Sequence, residues 1–301
     1  MNISHAFRFL TALIFGLGLL GAGAAAAETY KPFVLADPAG DTVQTAADNV
    51  AERLKAAGLE VLGRYQPYPD GSAVIFGVTS DSLRKAAGSD PYGGFGAVVR
   101  VAVTDNAGDI EVTYVNPVYM GYAYHIGDLS GPAEEFSSAL GNRGTFGAQG
   151  LSAEELEKYH YMMFMPYFKD RRVIARFGSH DEALSKVMKA LDDRQSDMSP
   201  VWTLTLDEKQ TLVGVSLDRG VWADGRIAEI MQKIDTGTPR STASLPWELL
   251  ISGDELVYLP GKYRIAVMFP DLTMGTFMQI SDVPDDMAAS AAELHDILQR
   301  L

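Results

Sequence analysis

The sequence predicts an α+β fold of two duplicated small domains, each a mostly antiparallel sheet with helices packed on one face. Three observations predict it: short alternating apolar runs bounded by turn residues, amphipathic stretches of helical period between them, and the return of that order in the second half. A length of 301 residues accommodates one large or two modest domains, and 47% hydrophobic residues suits a folded chain.

The first 27 residues read as an export signal. Arg8 supplies a positive n-region, Phe9 to Gly21 is apolar but short for a bilayer span, and Ala25 and Ala27 form an A-x-A site before Glu28. The mature chain is therefore expected to be exported and soluble, periplasmic in a Gram-negative source, with no membrane insertion after the signal is removed. Arg8 is the only Lys, Arg, Asp or Glu in that segment, so 25 basic residues become 24 against 39 acidic ones, a net charge of −15.

Residues 28–140 form the first expected domain. Asp41 to Ala57 is an amphipathic helix, with Asp41 as its cap, Gln44 at the capping-box position, and Val43, Ala46, Ala47, Val50 and Leu54 on one face. Strands follow at Leu59 to Tyr65 and Ala73 to Val78, then a short helix at Ser82 to Ala87. Phe95 to Val103 and Ile110 to Val115 form a hairpin about Asp105-Asn106-Ala107-Gly108, before Asn116-Pro117 and an aromatic segment to Ile126. Ser130 to Leu140 reads as a helix with Pro132 in its first turn.

Residues 141–169 form a connector. Gly141 to Gly150 is glycine-rich, and Ser152 with Glu155 makes a capping box for a helix expected to carry the Met and aromatic cluster. Residues 170–301 then repeat the order. A strand at Arg172 to Phe177 precedes a helix at Asp181 to Leu191, capped by Ser179 with Glu182. Strands at Val201 to Leu206 and Thr211 to Leu217, a helix from Asp224 to Ile234, and strands at Trp247 to Ile251, Glu255 to Leu259 and Lys262 to Phe269 follow. Pro284 to Arg300 closes the chain as an amphipathic helix. Met274 to Ile280 repeats the M-G-x-x-x-x-I string of Met120 to Ile126.

The run TAADNVAERLKAAGLEVLGRY, then SAVIFGVT, then FGAVVRVAVTDNAGDIEVTYVNPVYM resembles the small α+β family called domain of unknown function 302. The resemblance rests on Glu52 to Leu59, Ile75 to Gly77, and Tyr114 with Pro117, within residues 41–126. The second half resembles it as a diverged copy: Leu212-Val213-Gly214 replaces the IFG triplet, and Met268 stands at the tyrosine position. The resemblance implies fold and duplication, with no established reaction or cofactor. If such domains pair, a tandem chain builds the interface within one polypeptide, as an intrachain pseudo-dimer.

Composition excludes several classes. The absence of cysteine removes disulfide scaffolds, thiol nucleophiles, and Cys-type zinc and iron–sulfur sites. A pI near 4.7 opposes nucleic acid as a partner. No HExxH, GxSxG, P-loop or strand-linked GxGxxG occurs. His180 and His295 read as solvated helix residues, and His125 with Asp128 is the only local acid/base pair. No catalytic residue is assigned.

One constellation remains. Tyr119, Met120, Tyr122, Tyr124 and His125 end the first copy, and Tyr159, His160, Tyr161, Met162, Met163, Phe164, Met165, Pro166, Tyr167 and Phe168 follow in the connector. Tyr119, Met120, Tyr122, Tyr124, His125, Tyr159 and His160 are candidate ligand-binding residues. His125, His160, Met162, Met163 and Met165 are candidate metal ligands, because thioether and imidazole suit Cu(I), and His with Met can also ligate haem. The competing reading is packing, since methionine fills irregular gaps against rings. The functional expectation is an exported accessory or binding protein whose protein partner or small ligand is unspecified. Copper or haem handling is one alternative, and an enzyme with a dispersed acid/base site is another.

Overall fold

The computed structural model describes residues 27–193, 196–217 and 226–301. Residues 1–26 of the expected export signal lie outside these residues, as do Asp224 and Gly225 at the start of an expected helix.

In chain order the first half contains β1 (Thr29–Tyr30), β2 (Phe33–Leu35), α1 (Val43–Ala56), β3 (Glu60–Tyr65), β4 (Ala73–Thr79), α2 (Asp81–Ala87), β5 (Val99–Asn106), β6 (Asp109–Val115), α3 (Pro117–Ala123) and α4 (Ser130–Leu140). The connector adds β7 (Thr145–Phe146), β8 (Leu151–Ser152) and α5 (Ala153–Glu157). The second half holds β9 (Arg172–Arg176), α6 (His180–Asp192), β10 (Met198–Thr205), β11 (Gln210–Leu217), α7 (Arg226–Ile234), β12 (Trp247–Ser252), β13 (Glu255–Tyr258), α8 (Gly261–Met268), α9 (Met274–Gln279) and α10 (Val283–Leu298).

Helix positions follow local chemistry. Apolar residues at helical spacing bury Ala46, Ala47, Val50 and Leu54 on one side of α1, and the Thr42 side chain caps it by accepting from the Thr45 N–H at 3.1 Å. The expected cap Asp41 is displaced by one residue, since Thr42 takes the extended backbone a cap needs. Ser179 caps α6, and the Ser152/Glu155 capping box opens α5.

The first sheet has strand order β3-β4-β5-β6-β2-β7, and the second has β10-β11-β12-β13-β9. Every pairing is antiparallel. Apart from β7 the two orders are the same: the strand before the first long helix returns to lie beside the last hairpin strand. Bulges also fall alike, between Val61 and Gly63 in β3 and between Pro200 and Trp202 in β10.

Residue alternation along the strands divides the core into layers. Val74, Phe76, Val78, Val99, Val101 and Val103 face α1 and α4. Val213, Val215, Leu249 and Ile251 face α6 and α10 in the second half. The opposite faces, with Ile75, Ala102, Trp202, Leu204, Leu212 and Leu250, merge with α3, α7 and α8 into one core between the halves. The layers therefore run helices, sheet, sheet, helices.

Several expectations are corrected. Lys262 to Phe269 is not a strand: Pro260 ends the hairpin and α8 begins at once, buried along its length except at Lys262, so its run has no helical stripe to read. The aromatic segment after Asn116, to which the sequence assigns no element, forms helix α3, with Pro117 in its first turn. The two M-G-x-x-x-x-I strings therefore begin on α3 and α9, whereas the helix that follows the hairpin, as α3 does, is α8. The tyrosine two residues before its proline is Tyr258, so Met268 does not occupy the hairpin tyrosine position. Finally, α5 stops at Glu157, and the Met and aromatic run beyond it is irregular, with Phe164 at φ +69°.

Trp202 is the wedge between the sheets. Gly77 and Gly214, each the fifth residue of its strand, lie against its indole, where a Cβ would come within 2.5 and 2.4 Å of ring atoms. Gly77→Ala should therefore destabilise the fold by about 1–3 kcal/mol, the usual cost of overpacking. Gly131→Ala, in α4 with open space around it, should be neutral or slightly stabilising. Urea denaturation of both variants checks this; equal effects would remove the wedge from the account.

Candidate functional site

Arg100 and Glu248 are the second residues of β5 and β12, and they pair across their sheets with Gly77 and Gly214. Their side chains meet between the halves, with Arg100 Nη1 donating to Glu248 Oε1 and Oε2 at 3.0 and 3.1 Å. Both are buried, and Arg100 Nε donates to the Ala243 carbonyl at 2.9 Å. A reciprocal pair flanks them. Tyr119, third residue of α3, donates to the carbonyl of Val267, seventh residue of α8, at 2.7 Å. Tyr263, third residue of α8, donates to the carbonyl of Ala123, seventh residue of α3, at 2.8 Å. This exchange has the form of an isologous contact within one chain.

The expected Tyr, Met and His residues divide between seam and surface. Tyr119, Met120 and Tyr124 are buried. Tyr159 donates to the Ala266 carbonyl at 2.8 Å, and Tyr122 sits beside Tyr30, with ring centroids 5.3 Å apart. His125 is exposed at φ +60° with its ring 5.1 Å from Phe168, while His160 stacks on Tyr167 at 4.4 Å. His160, Met163 and Met165 line one groove, which neither His125 nor Met162 lines. Met162 and Met163 are exposed. Among the described residues no three His, Asp or Glu side chains gather as a metal-ligand group. His180 departs from its solvated reading: it is buried, and its Nε2 lies 3.1 Å from Thr211 Oγ1. His295 is exposed, with Nδ1 against the Ile174 carbonyl.

A polar cleft of about 170 Å³ opens at the seam, between the β4 and β5 ends of the first half and α7 with the loop after it. Its floor includes Tyr68, Thr104, Asp235, Arg240 and Thr242, and Asp70 and Asp105 stand at exposed positions around it. Asp235 is 5% exposed and accepts from the Ser241 N–H at 2.8 Å. Burial pushes its carboxyl up to about 6, more than that hydrogen bond and Arg240 pull it down. Burial, and next the charge of Asp235, push the Tyr68 phenol above its ordinary range. Arg240 is already engaged: Nε donates to Asn106 Oδ1 at 3.0 Å and Nη1 to the Asp235 carbonyl. Thr104 Oγ1 is buried in the cleft lining without a hydrogen-bond partner.

Of these cleft residues the sequence marks only Asp105, and only as part of a turn. The turn-forming string Thr236-Gly237-Thr238-Pro239 marks a loop, but nothing local pairs it with Thr104 or Tyr68, more than a hundred positions away. No protein family, curated protein or solved structure matches the chain. Fold and site together define an α+β protein with a polar cleft at the seam between two sheets of common strand order.

The sign of the Asp235 effect is fixed by its raised value. The folded state keeps the proton that the unfolded chain releases near pH 4, so stability falls as pH rises from about 4 to 6 and the full cost stands above that. Asp235→Asn should gain on the parent across this window, by roughly 2–3 kcal/mol at pH 7.5. Paired denaturation curves between pH 4 and 7.5 measure it; a gap that does not change with pH would contradict the assignment.

Proposed function

We propose that this chain is an exported, non-catalytic binding or accessory protein, built by duplication of a domain resembling domain of unknown function 302. It holds a small ammonium-bearing ligand in the Asp235 cleft. Export is supported by the pattern ending at Ala27, and duplication by the common strand order and matched bulges of the two sheets. The observation that carries the binding role is the cleft itself. It couples a buried carboxyl to a buried hydroxyl without a partner, and buried polar groups ordinarily have one. Among the described residues that line it, three carboxylates, Asp70, Asp105 and Asp235, each with one oxygen engaged by a neighbouring N–H, stand against one cation, Arg240, whose Nε and Nη1 are spent on protein oxygens. That balance favours a positively charged guest over an anionic one. The space suits roughly ten heavy atoms.

Calorimetric titration with ethanolamine, putrescine and choline tests this reading. At least one should bind at pH 7.5, weaken as pH falls through 6 and Asp235 gains its proton, and lose affinity in Asp235→Asn. Equal binding by parent and variant, or no binding by any amine, sinks it.

A further inference from the structure

A second cavity lies on the other side of the 3₁₀ turn at Thr242–Ser244, between α7 and α8, with room for about 30 Å³. It is lined by Arg264 and Ser244 among apolar side chains that include Ile230, Leu245, Met268 and Phe269. Arg264 is 4% exposed. Its Nη2 donates to the carbonyls of Ser244 and Pro246 at 2.7 and 3.2 Å and lies 3.9 Å from Glu248 Oε2. Arg264 Nε and Ser244 Oγ are both buried and both lack a partner.

Arg100 and Glu248 neutralise one another, so Arg264 leaves this buried cluster with a net positive charge among the described residues. The neighbouring phenols of Tyr124 and Tyr263 stay neutral, because burial raises both. The fourth position of α3, which matches Arg264 in α8, is Met120, so the first half has no such cation. An uncompensated buried charge is costly, and water satisfies hydrogen bonds without cancelling it.

We propose that the Arg264–Ser244 cavity binds one small monovalent anion, a halide or the carboxylate of a one-carbon acid, through Arg264 Nε–H and Ser244 Oγ–H. The donors are complementary to an acceptor-only guest. A volume near that of two water molecules suits a guest of that size. This site is separate from the amine cleft and does not depend on it.

The test uses purified protein in sodium gluconate, whose anion is too large for the cavity. Sodium bromide or sodium formate replaces gluconate at constant ionic strength while Tm is read. The parent should show a saturable rise in Tm, as a ligand selective for the folded state produces. A response to formate alone assigns a carboxylate guest, and a response to bromide assigns a halide. Ser244→Ala removes one donor without removing the charge, and should shift the midpoint roughly tenfold higher. In gluconate alone it should be no less stable than the parent, having lost a hydroxyl with no partner. Arg264→Met, where it folds, should lose the response entirely. A Tm indifferent to both anions shows that water fills the cavity and overturns the proposal. An identical midpoint in parent and Ser244→Ala, an adventitious ion only, overturns it equally.

Discussion

The buried pairing of Arg100 with Glu248 is the constraint around which the two halves are arranged. A desolvated ion pair is tolerable only when its geometry is good and its remaining polar atoms are satisfied. Here the carboxylate receives two hydrogen bonds from one nitrogen, and the guanidinium Nε finds the Ala243 carbonyl. Both residues project from matched positions of matched strands, so bringing them together fixes the offset between the sheets. With that offset set, the Trp202 indole meets Gly77 and Gly214, and α3 and α8 exchange their tyrosine hydrogen bonds. The chain has no cysteine to cross-link this seam. Its specificity rests on shape and on a few satisfied polar groups.

The seam is symmetric in topology and asymmetric in chemistry, and the asymmetry creates the cavities. Gly63 and Trp202 oppose the matched glycines Gly77 and Gly214, so a large ring in one half answers the absence of a side chain in the other. Arg264 answers Met120. The 3₁₀ turn at Thr242–Ser244 presents Thr242 to the polar cleft and Ser244 to the apolar cavity, and Met231 of α7 borders both. One short stretch of the second half therefore serves an acidic opening and a buried cationic pocket of opposite preference.

The sequence made the fold class and most of its elements legible, because alternation, helical spacing and capping residues are local. Ser130 to Leu140, the Ser179 cap and the Ser152/Glu155 box are found where they were expected. The pattern failed for α8, where burial of every residue but Lys262 erased the polar face that distinguishes helix from strand. It failed again after Glu157, where rings and thioethers support an irregular path. The site was hardly legible at all. Thr104 and Asp235 have meaning only after residues more than a hundred positions apart are brought together. The conspicuous Tyr and Met letters split into seam packing at Tyr119, Met120 and Tyr124 and surface exposure at Met162 and Met163.

A double-mutant cycle on Arg100 and Glu248 tests most directly whether their pairing organises the seam. Glu248→Leu alone should cost about 3–5 kcal/mol by leaving Arg100 buried without its carboxylate, Arg100→Met alone should cost less because Arg264 still lies 3.9 Å from Glu248, and the double variant should recover part of the Glu248→Leu loss. Additive losses in the double variant, or single losses near zero, would contradict the account.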